Sequence, residues 1–234
     1  MPSLLITGTG TGVGKTIITA ALARAWRFLG IDAGVMKPLA CGFDPGHMPH
    51  DTALLRASAR VDDPLELVTP LAFEAPLAPS EAARLAGCEV DLVPVDAALD
   101  ALQRRHTHLL VEGIGGALVP LTDEVAVADW AVRHRLPAAV VARTDLGTLN
   151  HTRMTLEVLA ARGLCVLGVI LNRVHGGPPG LDEQTNPAAL RRLLTVPVWG
   201  PVDFVEGLGD APPEEAVALL PRLAFADEVL AALS

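Results

Sequence analysis

Three observations predict an α/β fold: a mostly parallel sheet flanked by helices on both faces, in a single doubly wound domain over residues 1–234. Short apolar runs alternate with segments of helical period along the chain. Most of those runs are apolar throughout rather than alternating, as strands covered on both faces must be. Polar residues then recur at the carboxyl ends of the runs, where ligands bind in such sheets: Thr7-Gly8, Lys37-Pro38, Glu112-Gly113, Arg143-Thr144 and Asn172-Arg173.

The first run, 3–7, feeds a glycine-rich turn, Gly8-Thr-Gly-Thr-Gly-Val-Gly-Lys-Thr16, and then a helix over 16–29 that Gly30 stops. A strand, a glycine-rich turn and a helix N-terminus together make a phosphate cradle. Backbone N–H groups and the helix dipole supply partial positive charge, Lys15 supplies a full one, and the Thr16 hydroxyl suits magnesium. The fold is therefore of the P-loop NTPase type, although Gly8 sits one residue earlier than the strict pattern places its first glycine. The second strand, 33–37, ends on Lys37. A helix over 51–59 follows, then a proline- and glycine-rich loop over 61–79 and helices over 80–86 and 95–105. Strands over 108–112, 138–142, 166–172 and 196–200 alternate with helices over 125–135, 150–162 and 187–194. A loop over 174–186 and a last helix over 223–233 complete the reading. Right-handed crossovers follow from the architecture, but the strand order does not.

Five strand-end and helix-start residues have chemistry to offer. Lys37 follows buried apolar residues and is fixed by Pro38; it either snorkels or brings a second cation to a transferring phosphoryl group. Asp51 opens a helix, where capping is the ordinary task and magnesium ligation the alternative. Glu112 ends a buried strand, where a carboxylate is costly unless magnesium or a lysine at the same edge pairs with it. Asn172 offers a donor and an acceptor side by side, which suits a purine edge or an Asx turn. Asn150 caps the next helix or reaches a substrate carboxylate. The histidines lack zinc-protease spacing, and no G-x-S-x-G elbow is present.

Composition narrows the class. Half of the residues (50%) are hydrophobic, ample for a core, while aromatics are only 3% and tyrosine is absent. A net charge of −9 without a basic block argues against nucleic-acid or membrane partners. Cys41, Cys88 and Cys165 are scattered, which fits a reduced, cytoplasmic setting. The N-terminus enters a strand without a signal-like segment, and no apolar run reaches membrane-spanning length.

The chain resembles the dethiobiotin synthetases of biotin biosynthesis. The resemblance is carried by Thr7-Gly-Thr-Gly-Thr-Gly-Val-Gly-Lys-Thr16, Lys37-Pro-Leu-Ala-Cys-Gly42, Asp51-Thr-Ala-Leu-Leu55, Val111-Glu-Gly-Ile-Gly-Gly116, Ala128-Asp-Trp130, Leu146-Gly-Thr-Leu-Asn-His151 and Leu171-Asn172. These run in the family's order to about residue 200, and the early Gly8 matches a family loop that is one residue longer. The resemblance implies an ATP- and magnesium-dependent cyclo-ligase, a homodimer, that closes a cyclic urea on 7,8-diaminononanoate with carbon dioxide. It implies that Gly12, Val13, Gly14, Lys15, Thr16 and Ile17 surround the phosphates, with Asp51, Glu112, Gly113 and Gly115 beside them. Asn172, Arg173, Val202 and Asp203 complete the nucleotide's surroundings. Thr16, Asp51 and Glu112 are implied magnesium ligands, Lys15 and Lys37 the catalytic cations, and Thr11, Lys37, Cys41 and Asn150 the substrate's contacts. Cys41 stands where many members have serine, and Gly10 and Gly12 where many have acidic residues.

The alternative is a partition- or septum-type ATPase switch acting by partner binding. That relative has a lysine early in its loop, where this chain has Thr9 and Gly10, and needs a basic or amphipathic surface that the tail from Phe225 lacks.

Overall fold

The computed structural model describes residues 2–44, 46–209 and 211–233; the ends of the expected 1–234 domain, Met1 and Ser234, lie outside them. β1 (Ser3–Gly8), α1 (Lys15–Phe28) and β2 (Ala33–Met36) come first. An excursion follows through β3 (Leu39–Cys41), α2 (His50–Ala59), α3 (Leu65–Val68), β4 (Leu71–Phe73) and α4 (Pro79–Leu85). Alternation resumes with α5 (Val93–Arg105), β5 (His108–Glu112), α6 (Val127–Arg133), β6 (Ala138–Arg143), α7 (Thr148–Ala161) and β7 (Val166–Asn172). The last elements are α8 (Leu181–Leu193), β8 (Val198–Val202), α9 (Pro213–Leu219) and α10 (Ala226–Leu233).

Six strands form a parallel sheet in the order β2-β5-β1-β6-β7-β8. The period-2 geometry of β1 splits its apolar residues between two cores. Leu4 and Ile6 join Ile18, Leu22 and Trp26 of α1 and Leu54 of α2 on one face. Leu5 joins Leu99 of α5, Trp130 of α6 and Leu159 of α7 on the other. Fully burying each such side chain stabilises the fold by about 1.5–3 kcal/mol. Trp26 also donates from its indole nitrogen to the Ala226 carbonyl at 3.2 Å, which ties α10 to α1.

Because every strand is parallel, all their carboxyl ends share one edge, with β1 near its middle. The register fixes what lies there: Ile6 pairs with Glu112, and Asn172 with Arg143 and Val202. Among the described residues no helix is long and apolar enough to cross a membrane.

Several expectations are corrected. The 61–79 segment is not all loop: it holds α3 and β4, and β4 pairs with β3 in a separate two-stranded sheet. Helix α8 starts at Leu181 rather than 187, with Pro187 in its interior. The turn before that proline is held from outside, since Asn186 Nδ2 donates to the carbonyls of Thr144 (2.9 Å) and Asp145 (3.1 Å). Neither Asp51 nor Asn150 caps a helix, because Pro49 and Gly147 occupy those positions. Finally, β8 runs to Val202 instead of ending at Gly200, and Lys37 is the first residue after β2 rather than its last.

Candidate active site

The loop between β1 and α1 is shaped by the strand beside it as much as by its own glycines. Gly14, at φ 89°, is the N-cap of α1. A Cβ there would stand 2.1 Å from Asn172 Nδ2, at the end of β7. That amide donates to the Val13 carbonyl at 3.0 Å, so glycine and asparagine hold the turn together. The donor of Asn172 is thus used internally, and its carbonyl oxygen is the group left for a ligand. Lys15 folds back along the loop, donating to the Gly10 carbonyl at 3.1 Å. Burial lowers its pKa to about 8; Glu112 pulls the other way, and Lys37 adds to the lowering.

Beyond the loop, two strand ends and a helix start bring charge together. Lys37 Nζ lies 2.5 Å from Glu112 Oε1 and 2.9 Å from Asp51 Oδ2. The Thr16 hydroxyl donates to the same Glu112 Oε1 at 2.8 Å. Lys37 is 4% exposed and Asp51 42%, while Glu112 is buried. Burial alone would lower the Lys37 pKa, but Glu112 and Asp51 outweigh it and hold the ammonium charged. Burial likewise opposes ionisation of Asp51, and Lys37 overcomes it and keeps that carboxyl below its usual range. For Glu112 burial pushes upward against Lys37; beside an ammonium held charged, we read the pair as ionised. The backbone N–H of Lys37 donates to the Val68 carbonyl at 2.7 Å, so the unforeseen α3 steadies the strand end that carries the lysine.

This cluster accommodates a hard cation. Glu112 Oε2 is buried and has no hydrogen-bond partner, an unpaired acceptor that a low-dielectric site would not leave uncompensated. Among the described residues no group of three or more His, Cys, Asp and Glu is arranged to hold a metal. A cation here would therefore take one hydroxyl, two carboxylates and oxygens from a ligand or water. That donor set suits magnesium, which keeps waters and substrate phosphates in its shell.

One cavity of about 490 Å³ spans these groups and continues past the loop. Its lining includes Thr11, Gly12, Gly14, Lys15, Thr16 and Ile17 from the loop and α1. Lys37, Cys41, Asp51, Glu112 and Gly115 line the side toward β2 and β5. Asn172, Arg173 and Asp203 line the side toward β7 and β8.

A family model described as an AAA domain matches residues 2–211. The ATP-dependent dethiobiotin synthetase BioD of Anaeromyxobacter sp. strain K is 49% identical over 193 residues, 82% of this chain and 86% of that protein. The enzyme of the same name from Bacillus velezensis is 43% identical over 200 residues, covering 86% of this chain and 85% of the relative. The chain belongs to the dethiobiotin synthetase family.

Solved structures place the same fold more widely. The cell-division ATPase MinD of Pyrococcus furiosus superposes with a TM-score of 0.56 at 19% identity, covering 99% of each chain. A ParA family ATPase of Chlorobium tepidum gives 0.55 at 14%, covering 100% of this chain and 96% of that one. At such identities the likeness is one of fold. Nothing in it moves the chain from the synthetase family toward the partition or septum switches.

For a dethiobiotin synthetase family member, most of the residues expected from sequence meet in the one cavity. Val13, Gly113 and Val202 do not line it; Val13 and Val202 are packed in the core. Asn150 is exposed on α7, away from the cavity lining. Cys41 does line it, and burial pushes its thiol up to about 11, with Lys37 drawing it partly back. Sequence reasoning missed His50, Leu54, Ile114, Val174 and the run Phe204, Val205 and Leu208. Ending the last strand at Val202 would have exposed that run to the strand-end rule. An apolar aromatic directly after Asp203 was the available signal.

Proposed function

We propose that the chain is an ATP-dependent dethiobiotin synthase. It joins carbon dioxide to 7,8-diaminononanoate and closes a cyclic urea, releasing ADP and phosphate. The observation that carries this reading is the Lys37 ammonium, buried and fixed between Glu112 and Asp51 in the cavity that the phosphate loop lines. A simple nucleotide switch has no need of a second buried cation there. A synthetase that brings a carbamate anion to a triphosphate does.

The chemistry has three steps. One amine of the substrate adds to carbon dioxide and loses a proton, giving a carbamate. A carbamate oxygen attacks the γ-phosphorus and ADP departs, leaving a carbamic–phosphoric anhydride. The second amine then attacks the carbonyl carbon; the carbon–oxygen bond breaks, phosphate leaves and the ring closes. No side chain needs to become covalently attached, so the protein's contribution is position and charge.

Gly12 to Ile17 hold the phosphates, with Lys15 along the chain of anionic oxygens. Lys37 stabilises the carbamate and the phosphoryl group in transit. Thr11 and Cys41 face the diamine, Cys41 as a neutral and weakly donating thiol. Thr16, Asp51 and Glu112 would hold magnesium, which when bound neutralises phosphate charge. The carbonyl oxygen of Asn172 accepts from the exocyclic amine of adenine, with Arg173 and Asp203 beside the base. Asn150 meets the substrate's carboxylate tail from a second copy of the chain, which makes the working unit a homodimer. We place the enzyme in the cytoplasm, acting as a single domain without nucleic-acid or membrane partners; its three cysteines are unpaired.

The test is an omission experiment. ADP and phosphate are expected only when diamine and bicarbonate are both present, together with a product of the mass of the cyclic urea. ATP hydrolysis at an unchanged rate without the diamine would sink the proposal.

A further inference from the structure

Glu183, at the start of α8, does not line the cavity, yet its carboxylate ties the ends of β6 and β7 to the start of α8, and one of its partners, Arg173, does line it. Oε1 accepts from the Thr144 hydroxyl at 3.0 Å, just beyond β6. The same oxygen accepts from Arg173 Nε at 3.2 Å, just beyond β7. Oε2 accepts from the Gly180 backbone N–H at 3.2 Å, at the N-cap of α8. Three donors on one carboxylate fix its direction, and a carboxylate so fixed orients the planar guanidinium it meets.

The remaining nitrogens of Arg173 carry that orientation to the cavity. Nη2 donates to the Gly177 carbonyl at 2.9 Å, closing the turn after β7. Nη1 lies 3.7 Å from Asp203 Oδ1, across the cavity mouth beyond β8. The backbone N–H of Arg173 donates to the Val202 carbonyl at 2.9 Å, so the two strand ends are already coupled there. Within the closed turn, Gly176 sits under the Phe204 ring, where an added Cβ would stand 3.2 Å from its edge. Phe204 and Asp203 line the cavity together with Arg173. The chain of contacts runs from Glu183 through Arg173 to the turn and to the aromatic wall. Arg173 is 13% exposed, so its guanidinium has little freedom to find another partner.

We infer that Glu183 is a positioning residue for nucleotide binding: it aims Arg173 and the 173–177 turn at the β7–β8 end of the cavity, where the base lies. The inference rests on the reading of this cavity as the nucleotide site. It separates binding from chemistry, because the reacting groups lie at the other end, around Lys37 and Glu112. Losing the Glu183 charge should therefore raise the nucleotide KM and leave kcat in place.

Glu183→Gln is the discriminating variant, since a glutamine oxygen can still accept the Gly180 N–H and keep the helix start. Calorimetric titration with a non-hydrolysable ATP analogue should show binding to wild type and affinity about tenfold weaker for Glu183→Gln. Nucleotide KM should rise in parallel, with kcat within about twofold and the melting temperature retained. Arg173→Gln, which leaves the Gly180 contact intact, should give the same rise. Adding Glu183→Gln to it should cost nothing more, because both act through one contact. A wild type that binds no analogue takes down the nucleotide reading and the inference with it. Wild-type binding with an unaffected Glu183→Gln takes down the inference alone, as do additive losses in the double variant or a fall in kcat at unchanged KM.

Discussion

Lys15 and Lys37 show how environment divides two like residues. Lys37 has carboxylates on two sides and stays charged, whereas Lys15 is buried against a backbone carbonyl and its pKa falls to about 8. A triphosphate supplies the counter-charge that Lys15 lacks, so the loop is built to be completed by its ligand. Cys41 makes the same point from the other sign. Burial raises its thiol from 9.0 to about 11, so at pH 8 its thiolate fraction is about a hundredfold below that of an ordinary cysteine. Cys88 and Cys165 are exposed. Alkylation with iodoacetamide, followed by mass spectrometry at pH 8, should label those two first and Cys41 more than about tenfold later, and the Cys41 rate should climb as pH rises toward 11. Equal rates at the three cysteines would contradict the buried, neutral thiol drawn here.

At the scale of elements, the glycine-rich turn depends on a residue of β7. Alanine at position 14 would need a positive φ that L-residues rarely adopt and would overlap the Asn172 amide. Gly14→Ala should therefore weaken binding of an ATP analogue at least about tenfold by calorimetry, since the Asn172–Val13 bond is lost as well. Unchanged affinity would show that the turn tolerates what its geometry excludes. The main sheet was legible because parallel strands buried on both faces leave apolar runs that nothing else explains. The charged site residues were legible for the complementary reason: Lys37 and Glu112 follow such runs, where an unpaired charge is costly. What escaped lacks either signature. β3 and β4 have three residues each; β3 follows Pro38 directly, and β4 lies amid the prolines of the 61–79 segment that reads as loop. The start of α8 is masked by Pro187, which reads as a breaker until the Asn186 anchors are seen. Phe204, Val205 and Leu208 line the cavity because β8 ends at Val202 rather than Gly200, so a strand ended two residues early hid the aromatic after Asp203 from the strand-end rule.

For the whole molecule, sheet order sets where each group of the site lies. Crossing from β2 to β8 takes five strand steps, roughly 24 Å at the usual spacing. The phosphate loop, following β1, sits near the middle of that edge. On one side lie the charges of Lys37, Asp51 and Glu112; on the other, Asn172, Arg173 and the Phe204 wall. A nucleotide laid with its base over β7–β8 presents its γ-phosphate toward β5 and β2, where Lys37 waits for an anion. In the proposed reaction this anion is a carbamate, and its oxygen, rather than water's, reaches phosphorus. The direct measurement is the fate of that oxygen during short incubations with ¹⁸O-labelled carbon dioxide, ATP and the diamine. Mass spectrometry of the released phosphate should show one labelled oxygen per turnover, carried from the carbamate through the anhydride. Phosphate that takes its new oxygen from water instead would contradict the account.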